Sequence, residues 1–284
     1  MEWRVSVPIE PGRSLLQFFT TNCLKEKKIG FSKGLTNSVK IDLILFKPKF
    51  KFWLKYSPSP EIHFVQSFQS CLDELSLSEF YEKFNASLLR FSFQEIICYG
   101  LGNFQSCLNS RYQLALLILM KNKLDIKCYC YDPVFTQEEI CFLEDLEICI
   151  IRRNEEGKRR VTSSTLFYMP HCPHTLSNNI LWANWEKTQI QNIVILANSF
   201  QMIFTNSTKK VVDNDCNYMT RALQFLSEIE VDNCFRFCDI FNDMSFHTFR
   251  KNIPEDNSVW ENCPEPKYKE ETTEIIQNIE SLAI

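Results

Sequence analysis

Ile96-Ile-Cys-Tyr-Gly-Leu-Gly102 is the stretch of sequence that decides the fold class. A short apolar run that stops at two closely spaced glycines is typical of a buried strand entering a tight turn. A strongly apolar helix is predicted next, over about residues 106–121, followed by a second apolar strand over 126–131 that ends at Asp132-Pro133. Two strands joined through a helix predict a β–α–β unit with parallel strands.

The same alternation continues along the chain. Two amphipathic helices are predicted over 62–91, before the first strand. The elements predicted after the second strand are a helix from Thr136 to about Leu146 and strands over 147–152 and 165–169, then a helix over 176–185, a strand over 192–197, a helix over 218–229 and a short strand over 234–237. This order predicts the α/β class: a Rossmann-like, open, mainly parallel sheet covered by helices on both faces.

We expect three regions in the chain of 284 residues. Residues 1–60 form a basic, partly ordered N-terminal extension, residues 61–250 form the α/β domain with two leading helices, and residues 251–284 form an acidic C-terminal tail. Nine lysines between Lys25 and Lys55 give that stretch a net charge of +7. It is either a surface for an anionic partner or a solvated strand whose lysines protect a sheet edge, and the absence of arginine favours the second interpretation.

Composition restricts the cellular setting and the partners. The chain carries thirteen cysteines, an odd number, and many lie inside apolar runs without a preceding signal peptide, which favours free thiols in a reducing compartment. Its longest unbroken apolar run, Leu114–Met120, is far shorter than the about 20 residues that span a bilayer. We expect a soluble protein in the cytoplasm, with the nucleus as a second location. Other proteins are the expected partners, and the net charge of −4 gives no reason to expect nucleic acid.

Ligands of open parallel sheets bind outside the carboxyl ends of the strands. That rule gathers distant polar residues into one predicted crevice. The candidate binding residues are Gly100, Gly102, Asn103, Asp132, Glu155, His171, Cys172, Asn198 and Ser199.

The glycine turn resembles part of a dinucleotide fingerprint. Gly100 and Gly102 would let the backbone approach a nucleotide or adenosyl ligand, and Asp132 could accept hydrogen bonds from ribose hydroxyls. The match is incomplete because residue 105 is Gln rather than Gly, so an ordinary strand-to-helix turn is the alternative. Glu155 lies in a predicted charged hairpin, residues 154–160, where it is either a general base, a hydroxyl ligand or part of a solvated turn.

His171-Cys-Pro-His174 leaves four interpretations open. A zinc site would need about four ligands, and no partner motif is visible, so we predict no metal. A Cys-Pro pair beside histidine also fits haem ligation, and Cys172 could be a nucleophile. The plainest interpretation is a polar loop fixed by two prolines. Asn178, Asn179 and Asn184 lie near the same crevice and either cap local structure or hold a ligand.

Together these motifs resemble the Sensitivity-to-Red-light-Reduced family of eukaryotes. The matching segments are Tyr99-Gly-Leu-Gly-Asn-Phe104, Ser110-Arg-Tyr-Gln-Leu-Ala115, Asp132-Pro-Val-Phe-Thr136, Asn154-Glu-Glu-Gly-Lys-Arg159, Thr165-Leu-Phe-Tyr-Met-Pro-His-Cys-Pro173, Asn178-Asn-Ile-Leu-Trp-Ala-Asn-Trp185, Asn198-Ser-Phe200 and Phe241-Asn-Asp243 with Ser245 and His247. The resemblance covers about residues 96–249, and the chain has Ala197 where the family has Gly.

The resemblance implies a regulatory protein, tied to circadian-clock control and, in animals, to control of haem biosynthesis. It implies no catalytic residue and no defined cofactor, so we lean towards a protein that is not an enzyme. Three hypotheses follow. The chain is a regulator with a ligand-binding Rossmann-like pocket, an enzyme that uses an adenosyl or nicotinamide nucleotide with Asp132 on ribose and Glu155 or His171 as acid or base, or a direct haem sensor that binds through Cys172-Pro173.

Overall fold

The computed structural model describes residues 60–250 and 253–268, together with the backbone of three strands nearer the N-terminus. Those strands are β1 (Ile29–Lys33), β2 (Val39–Leu43) and β3 (Phe50–Leu54), and they form an antiparallel sheet in the order β1-β2-β3. The rest of the basic extension, and the acidic tail from residue 269 onward, lie outside the described residues. The three predicted regions therefore stay a prediction.

A seven-stranded mixed sheet forms the centre of the molecule. Its strands are β4 (Glu95–Tyr99), β5 (Lys127–Tyr131), β6 (Cys149–Ile150), β7 (Thr165–Met169), β8 (Ile193–Asn198), β9 (Ser227–Glu230) and β10 (Met244–Thr248). The order in the sheet is β6-β5-β4-β7-β8-β10-β9. The first five strands in that order are parallel, and β10 runs antiparallel to both β8 and β9. The predicted Rossmann-like, mainly parallel α/β sheet is confirmed.

Helices cover both faces of this sheet. In the described residues they are α1 (Pro60–Ser76), α2 (Glu79–Leu88), α3 (Leu108–Leu124), α4 (Gln137–Asp145), α5 (His174–Ala183), α6 (Phe200–Asn206), α7 (Lys209–Asp215) and α8 (Asn217–Ala222). Helices α1 to α4 pack on one face and α5 to α8 on the other. Because side chains alternate along a strand, Ile96 and Cys98 of β4 face the first core while Ile97 and Tyr99 face the second.

Local capping explains where two of these helices begin. Ser78 precedes α2 and accepts a hydrogen bond from the Tyr81 backbone N–H. Thr136 precedes α4 and forms a capping box with Glu139, whose carboxylate accepts from the Thr136 N–H in return. These reciprocal bonds satisfy backbone donors that would otherwise have no partner.

The C-terminal third of the domain differs from the prediction. The helix predicted over 218–229 ends at Ala222, a 3₁₀ turn covers Leu223–Phe225, and residues 227–230 form β9. Residues 234–237, predicted to be a strand, have irregular backbone. The last strand among the described residues is β10, at Met244–Thr248. Four residues reading Ser-Glu-Ile-Glu carry little local strand preference, so pairing with the fully buried β10 decides their conformation.

The segment after β6 also differs from the prediction. Residues 154–160 were predicted to form a hairpin, but β6 pairs with β5 whereas β7 pairs with β4. The two strands therefore lie apart in the sheet, and residues 151–164 cross it without a helix.

Among the described residues, no helix is long and apolar enough to cross a membrane.

Candidate ligand site at the strand ends

The strand order reverses beside β4, whose neighbours are β5 on one side and β7 on the other. In open α/β sheets such a reversal opens a crevice outside the carboxyl ends of the strands. The loops after β4, β5, β6 and β7 meet at this edge through direct contacts. Gly100, Gly102, Asp132, Glu155 and Cys172 lie in these loops, and their binding of a ligand stays a prediction.

Both glycines of the turn after β4 have backbone conformations that side chains rarely adopt. Gly100 has φ +68°, and a Cβ there would lie 2.1 Å from the Cys172 sulfur. Gly102 has φ +73°, and a Cβ there would lie 2.7 Å from the Ser110 hydroxyl. The space left free by the missing side chains is thus occupied by groups of this chain. Glycine is required here because the turn packs closely against the loop after β7 and against the start of α3.

Asp132 joins the β4 and β5 loops. Its Oδ2 accepts a hydrogen bond of 2.7 Å from the Gly102 N–H, and its Oδ1 accepts one of 3.0 Å from the Val134 N–H. An ionised carboxylate has about four acceptor positions, so it keeps acceptor capacity for further donors. Asn103 shapes the same loop, because its Oδ1 accepts from the backbone N–H and the hydroxyl of Ser106.

Glu155 connects the loop after β6 to β4. Its Oε2 accepts a hydrogen bond of 2.7 Å from the hydroxyl of Tyr99, a side chain that is only 3% exposed. Burial and the neighbouring Glu155 carboxylate raise the Tyr99 pKa, so the phenol keeps its proton. The Arg159 guanidinium lies 3.5 Å from Glu155 and 5.4 Å from the Tyr129 ring. Its Nη1 is buried and has no hydrogen-bond partner among the described residues.

His171 and Cys172 contact different parts of the molecule. The exposed His171 has φ 54° and forms a 3.0 Å hydrogen bond through Nε2 to the Ile240 carbonyl. The Cys172 thiol donates to the Tyr99 carbonyl over 3.3 Å. Burial raises the Cys172 pKa, and Asp132 raises it further, so the neutral thiol is the stable form. Within the described residues, no group of three His, Cys, Asp or Glu side chains could hold a metal ion.

Asn198 and Ser199 lie towards the antiparallel part of the sheet. The Ser199 hydroxyl accepts from the Met202 N–H and caps α6, while its own N–H donates to the Asp243 carbonyl over 2.6 Å. The Asn198 Oδ1 is buried without a hydrogen-bond partner in the part of the chain described. The hydrogen bonds of Ser199 are therefore with α6 and the loop before β10, and Asn198 pairs with Met244 of β10.

A buried polar cluster next to Ser199 was not predicted from the sequence. The imidazole of His247 is fully buried; its Nδ1 lies 3.0 Å from the Ile195 carbonyl oxygen, and its Nε2 lies 3.2 Å from the Phe200 backbone nitrogen. Glu228 lies 3.6 Å from that Nε2 and accepts from the Gln201 N–H. Burial alone would raise the Glu228 pKa, but His247, Ser199 and Ser245 lower it to about 2.

Tyr268 is a second group that the sequence does not reveal. Residues 253–268 run over α5 and α8, and the Tyr268 hydroxyl donates to Asn179 Oδ1 over 2.8 Å and accepts from Asn178 Nδ2 over 2.9 Å. Asn179 also donates to the Glu156 carbonyl, and Asn184 donates to the Arg159 carbonyl. The three asparagines thus hold the C-terminal segment and the loop after β6, with no ligand needed.

Comparison with known proteins identifies relatives of this chain. The family model described as SRR1 domain matches residues 67–248. An SRR1-like protein of Drosophila melanogaster is 31% identical over 187 residues, covering 64% of this chain and 66% of the relative. An SRR1-like protein of Mus musculus is 38% identical over 130 residues, covering 44% and 52%. Protein SENSITIVITY TO RED LIGHT REDUCED 1 of Arabidopsis thaliana is 32% identical over 171 residues, covering 56% and 60%. The chain therefore spans between about half and two thirds of the length of these relatives.

Solved structures resemble the chain more distantly. An SAH-bound Podospora anserina methyltransferase, PaMTH1, aligns with a TM-score of 0.39 and 11% identity, covering 66% of this chain and 88% of that one. The plantazolicin methyltransferase BpumL, in complex with a monoazolic desmethylPZN analogue and SAH, aligns with a TM-score of 0.34 and 10% identity, covering 67% of this chain and 90% of that one.

Proposed function

The chain belongs to the SRR1 family, and we propose that it is a regulatory protein that binds a small ligand at the strand-end site without converting it. Its regulatory role, on this proposal, lies in the light-response and circadian control that the family resemblance implies. The link to haem biosynthesis rests on that resemblance alone. One observation supports binding over catalysis: the candidate carboxylates and the candidate thiol of the site already form hydrogen bonds within the protein.

Three hydrogen bonds within the site are the basis of this observation. Tyr99 donates to Glu155, the Gly102 N–H donates to Asp132, and the Cys172 thiol donates to the Tyr99 carbonyl. A general acid or base must reach the proton that it transfers, and a nucleophile must be ionised or activated. Glu155 and Cys172 are instead held by neighbouring groups of the protein. This arrangement favours a site that senses a ligand.

Two groups at this edge can still form hydrogen bonds with a ligand. Asp132 can accept further hydrogen bonds, and Arg159 has a buried guanidinium nitrogen without a partner in the described residues. An acid at the end of the second strand suits ribose hydroxyls, and a guanidinium suits an anionic or carbonyl oxygen. A nucleotide or an adenosyl compound carries both kinds of group. That is the ligand class that we propose.

Native mass spectrometry of the purified full chain, followed by thermal-shift titration, tests the proposal. The probes are S-adenosylhomocysteine, S-adenosylmethionine, NAD and AMP. A ligand at 100 times its dissociation constant stabilises the protein by about 2.7 kcal/mol, which raises the melting temperature by several degrees. We expect a shift with at least one probe, loss of that shift in Asp132→Ala, and retention in the exposed control Asp256→Ala. No shift with any probe would refute ligand binding of this class.

An adenosyl- or nicotinamide-dependent enzyme is the second candidate. The favouring observation is the glycine turn beside Asp132, which is the pairing that a nucleotide cofactor uses. In this candidate Glu155 or His171 is the acid or base. Turnover of bound S-adenosylmethionine or NAD by the purified chain, abolished in Glu155→Gln, would establish the enzyme and overturn the regulator. Ligand binding without turnover in the presence of cell extract supports the regulator.

Direct haem sensing through Cys172 receives less support. A cysteine binds haem iron as its thiolate, whereas burial raises the Cys172 pKa and the thiol donates to a backbone carbonyl. We therefore expect hemin titrations of the wild type and of Cys172→Ala to give the same Soret band. A band that shifts only in the wild type would identify Cys172 as a haem ligand.

A further inference from the structure

A cavity opens between α6 and the outer strand β9, on the face of the sheet that α5 to α8 cover. It has a volume of about 420 Å³, within the range that small-molecule sites occupy. We call it the α6 cavity. Its lining residues come from α6, from the 3₁₀ turn and the residue after it, and from β9: Gln201, Phe204, Thr205, Leu223, Leu226 and Glu228. The candidate residues of the strand-end site are not among them.

The walls of the α6 cavity are apolar. Phe204 and Leu226 are half-buried and pack against the core on this face, and Leu223 is 47% exposed. Of the large apolar side chains that are exposed in the described residues, Leu223 alone lines the cavity. A protein interface buries about 800 Å² on each partner, so one exposed leucine favours a small ligand over a protein. The walls therefore suit the apolar body of a small molecule.

Glu228 is the one charged residue in the lining of the α6 cavity. Its carboxylate is ionised at neutral pH, because its pKa is lowered to about 2. The one ion pair that Glu228 forms in the described part of the chain is with His247, whose Nε2 lies 3.6 Å from Oε1. A close charge-assisted hydrogen bond is shorter, at about 2.7–2.9 Å. A carboxylate without a closely bound cation repels anionic ligands and attracts cationic ones.

The polar side chains of the lining are hydrogen-bond acceptors. Gln201 and Thr205 lie one helical turn apart on α6 and therefore share a face. The Thr205 hydroxyl donates its proton to the Gln201 backbone carbonyl over 2.8 Å, so its oxygen remains an acceptor. The Gln201 amide oxygen is a second acceptor, and the Glu228 carboxylate is a third. An ammonium group has three donors and no acceptor, so it matches this set.

We propose that the α6 cavity binds a small primary amine that has an apolar body. The ammonium group pairs with Glu228 and donates to the acceptors on α6, while the apolar body packs against Phe204 and the two leucines. The face of an aromatic ring also attracts a cation, so Phe204 contributes to the binding of both parts. This site is separate from the strand-end site, and the absence of a ligand there would leave it unaffected.

Titration of the full chain with 2-phenylethylamine, followed by NMR of leucine and threonine methyl groups, tests the proposal. We expect saturable binding with a Kd below about 1 mM and shifts at Thr205, Leu223 and Leu226. 2-Phenylethanol, which has nearly the same shape without the charge, should bind at least about tenfold more weakly, and the anion 3-phenylpropionate should not bind. No saturable binding of the amine up to about 10 mM, or equal binding of the alcohol, overturns the proposal.

Variants then identify the groups that bind the ammonium. Glu228→Gln keeps the shape of the side chain and removes its charge, so it should weaken amine binding at least about tenfold and leave the alcohol unchanged. Glu230→Gln, at an exposed position on the same strand, is the matched control and should bind the amine like the wild type. Unchanged amine affinity in a folded Glu228→Gln variant, as judged by circular dichroism, contradicts the proposed site.

A second variant keeps the test independent of the contribution of Glu228 to stability. Thr205→Val removes one acceptor at an exposed position and should weaken amine binding about threefold. Thr220→Val makes the same change at an exposed position outside the cavity and should have no effect. If Glu228→Gln does not fold, wild-type affinity in Thr205→Val overturns the proposal.

A last titration distinguishes a free amine from the lysine side chain of another protein. The probe is Nα-acetyl-lysine methylamide, in which a flexible chain carries the ammonium group. We expect it to bind at least about tenfold more weakly than 2-phenylethylamine, because it has no aromatic ring to pack against the walls. Equal or tighter binding would assign the cavity to a lysine of a partner protein and overturn the proposed small amine.

Discussion

At the scale of single residues, the site requires two positions that have no side chain. Gly100 has φ +68° and touches the Cys172 sulfur, and Gly102 has φ +73° and touches the Ser110 hydroxyl. The close spacing of the glycines predicted a turn that approaches something closely. The turn approaches the loop after β7 and the start of α3, and no local pattern in the sequence shows that contact.

Gly100→Ala should destabilise the fold by about 2–4 kcal/mol, because it combines backbone strain with a steric overlap at Cys172. Urea unfolding of the purified variants measures the change. In a Cys172→Ala background the overlap is removed and only the strain remains, so the cost of Gly100→Ala should fall by at least about 1 kcal/mol. An equal cost in both backgrounds would show that Cys172 does not fill the space at Gly100.

Glu228 should make stability depend on pH in acid. Its pKa is about 2 in the folded state, below the ordinary glutamate value of 4.5, so ionised Glu228 stabilises the fold above about pH 4.5. This contribution is lost as the pH falls towards 2. Its upper limit is about 3 kcal/mol, since one pKa unit corresponds to about 1.4 kcal/mol.

Unfolding of the wild type and Glu228→Gln at pH 7, 4 and 2.5 measures this dependence. We expect the variant to be less stable by about 1–3 kcal/mol at pH 7 and the difference to shrink steadily towards pH 2.5. Glu261→Gln, at an exposed position, is the control and should parallel the wild type. A constant difference at all three values would mean that loss of packing, rather than of charge, explains the effect.

At the scale of secondary structure, prediction succeeded where the pattern was local. Strand β4, the glycine turn and α3 follow from one apolar run, two glycines and a long apolar segment, and β7 has the predicted bounds. Prediction failed for β9 and β10, because the strand pairing of residues 227–230 depends on a partner that lies fifteen or more residues along the chain. It failed also for residues 154–160, where a charged Gly-containing turn looks like a hairpin but crosses the sheet.

The C-terminal segment, residues 253–268, should stabilise the loop after β6. Tyr268 binds Asn178 and Asn179, and Glu265 pairs with Lys158 over 2.7 Å. Tyr268→Phe removes both hydroxyl contacts and leaves two amide groups short of partners, at a cost of about 1–3 kcal/mol. Hydrogen exchange should accelerate in residues 154–160 and at the start of α5. The exposed control Lys267→Ala should not change hydrogen exchange in these residues. Unchanged exchange in Tyr268→Phe would show that the C-terminal segment does not stabilise the loop after β6.

At the scale of the whole molecule, the described α/β unit has its own two cores, one on each face of the sheet. A chain that begins at residue 60 should therefore fold, with a melting temperature within a few degrees of the full chain at low concentration. Circular dichroism and thermal denaturation measure both properties. Failure to fold would show that the N-terminal region is part of the domain rather than an extension.

The helix-free connection between β6 and β7 has a consequence for how this fold can vary. Residues 151–164 cover Tyr129 and the end of β4 with irregular backbone fixed at a few points, including Asn184 to the Arg159 carbonyl. A helix changes length only by whole turns if its buried face is to be kept, whereas an irregular strap lengthens or shortens by single residues between its anchors. Divergence in size among related proteins should therefore concentrate in this strap, leaving the sheet beneath it unaltered.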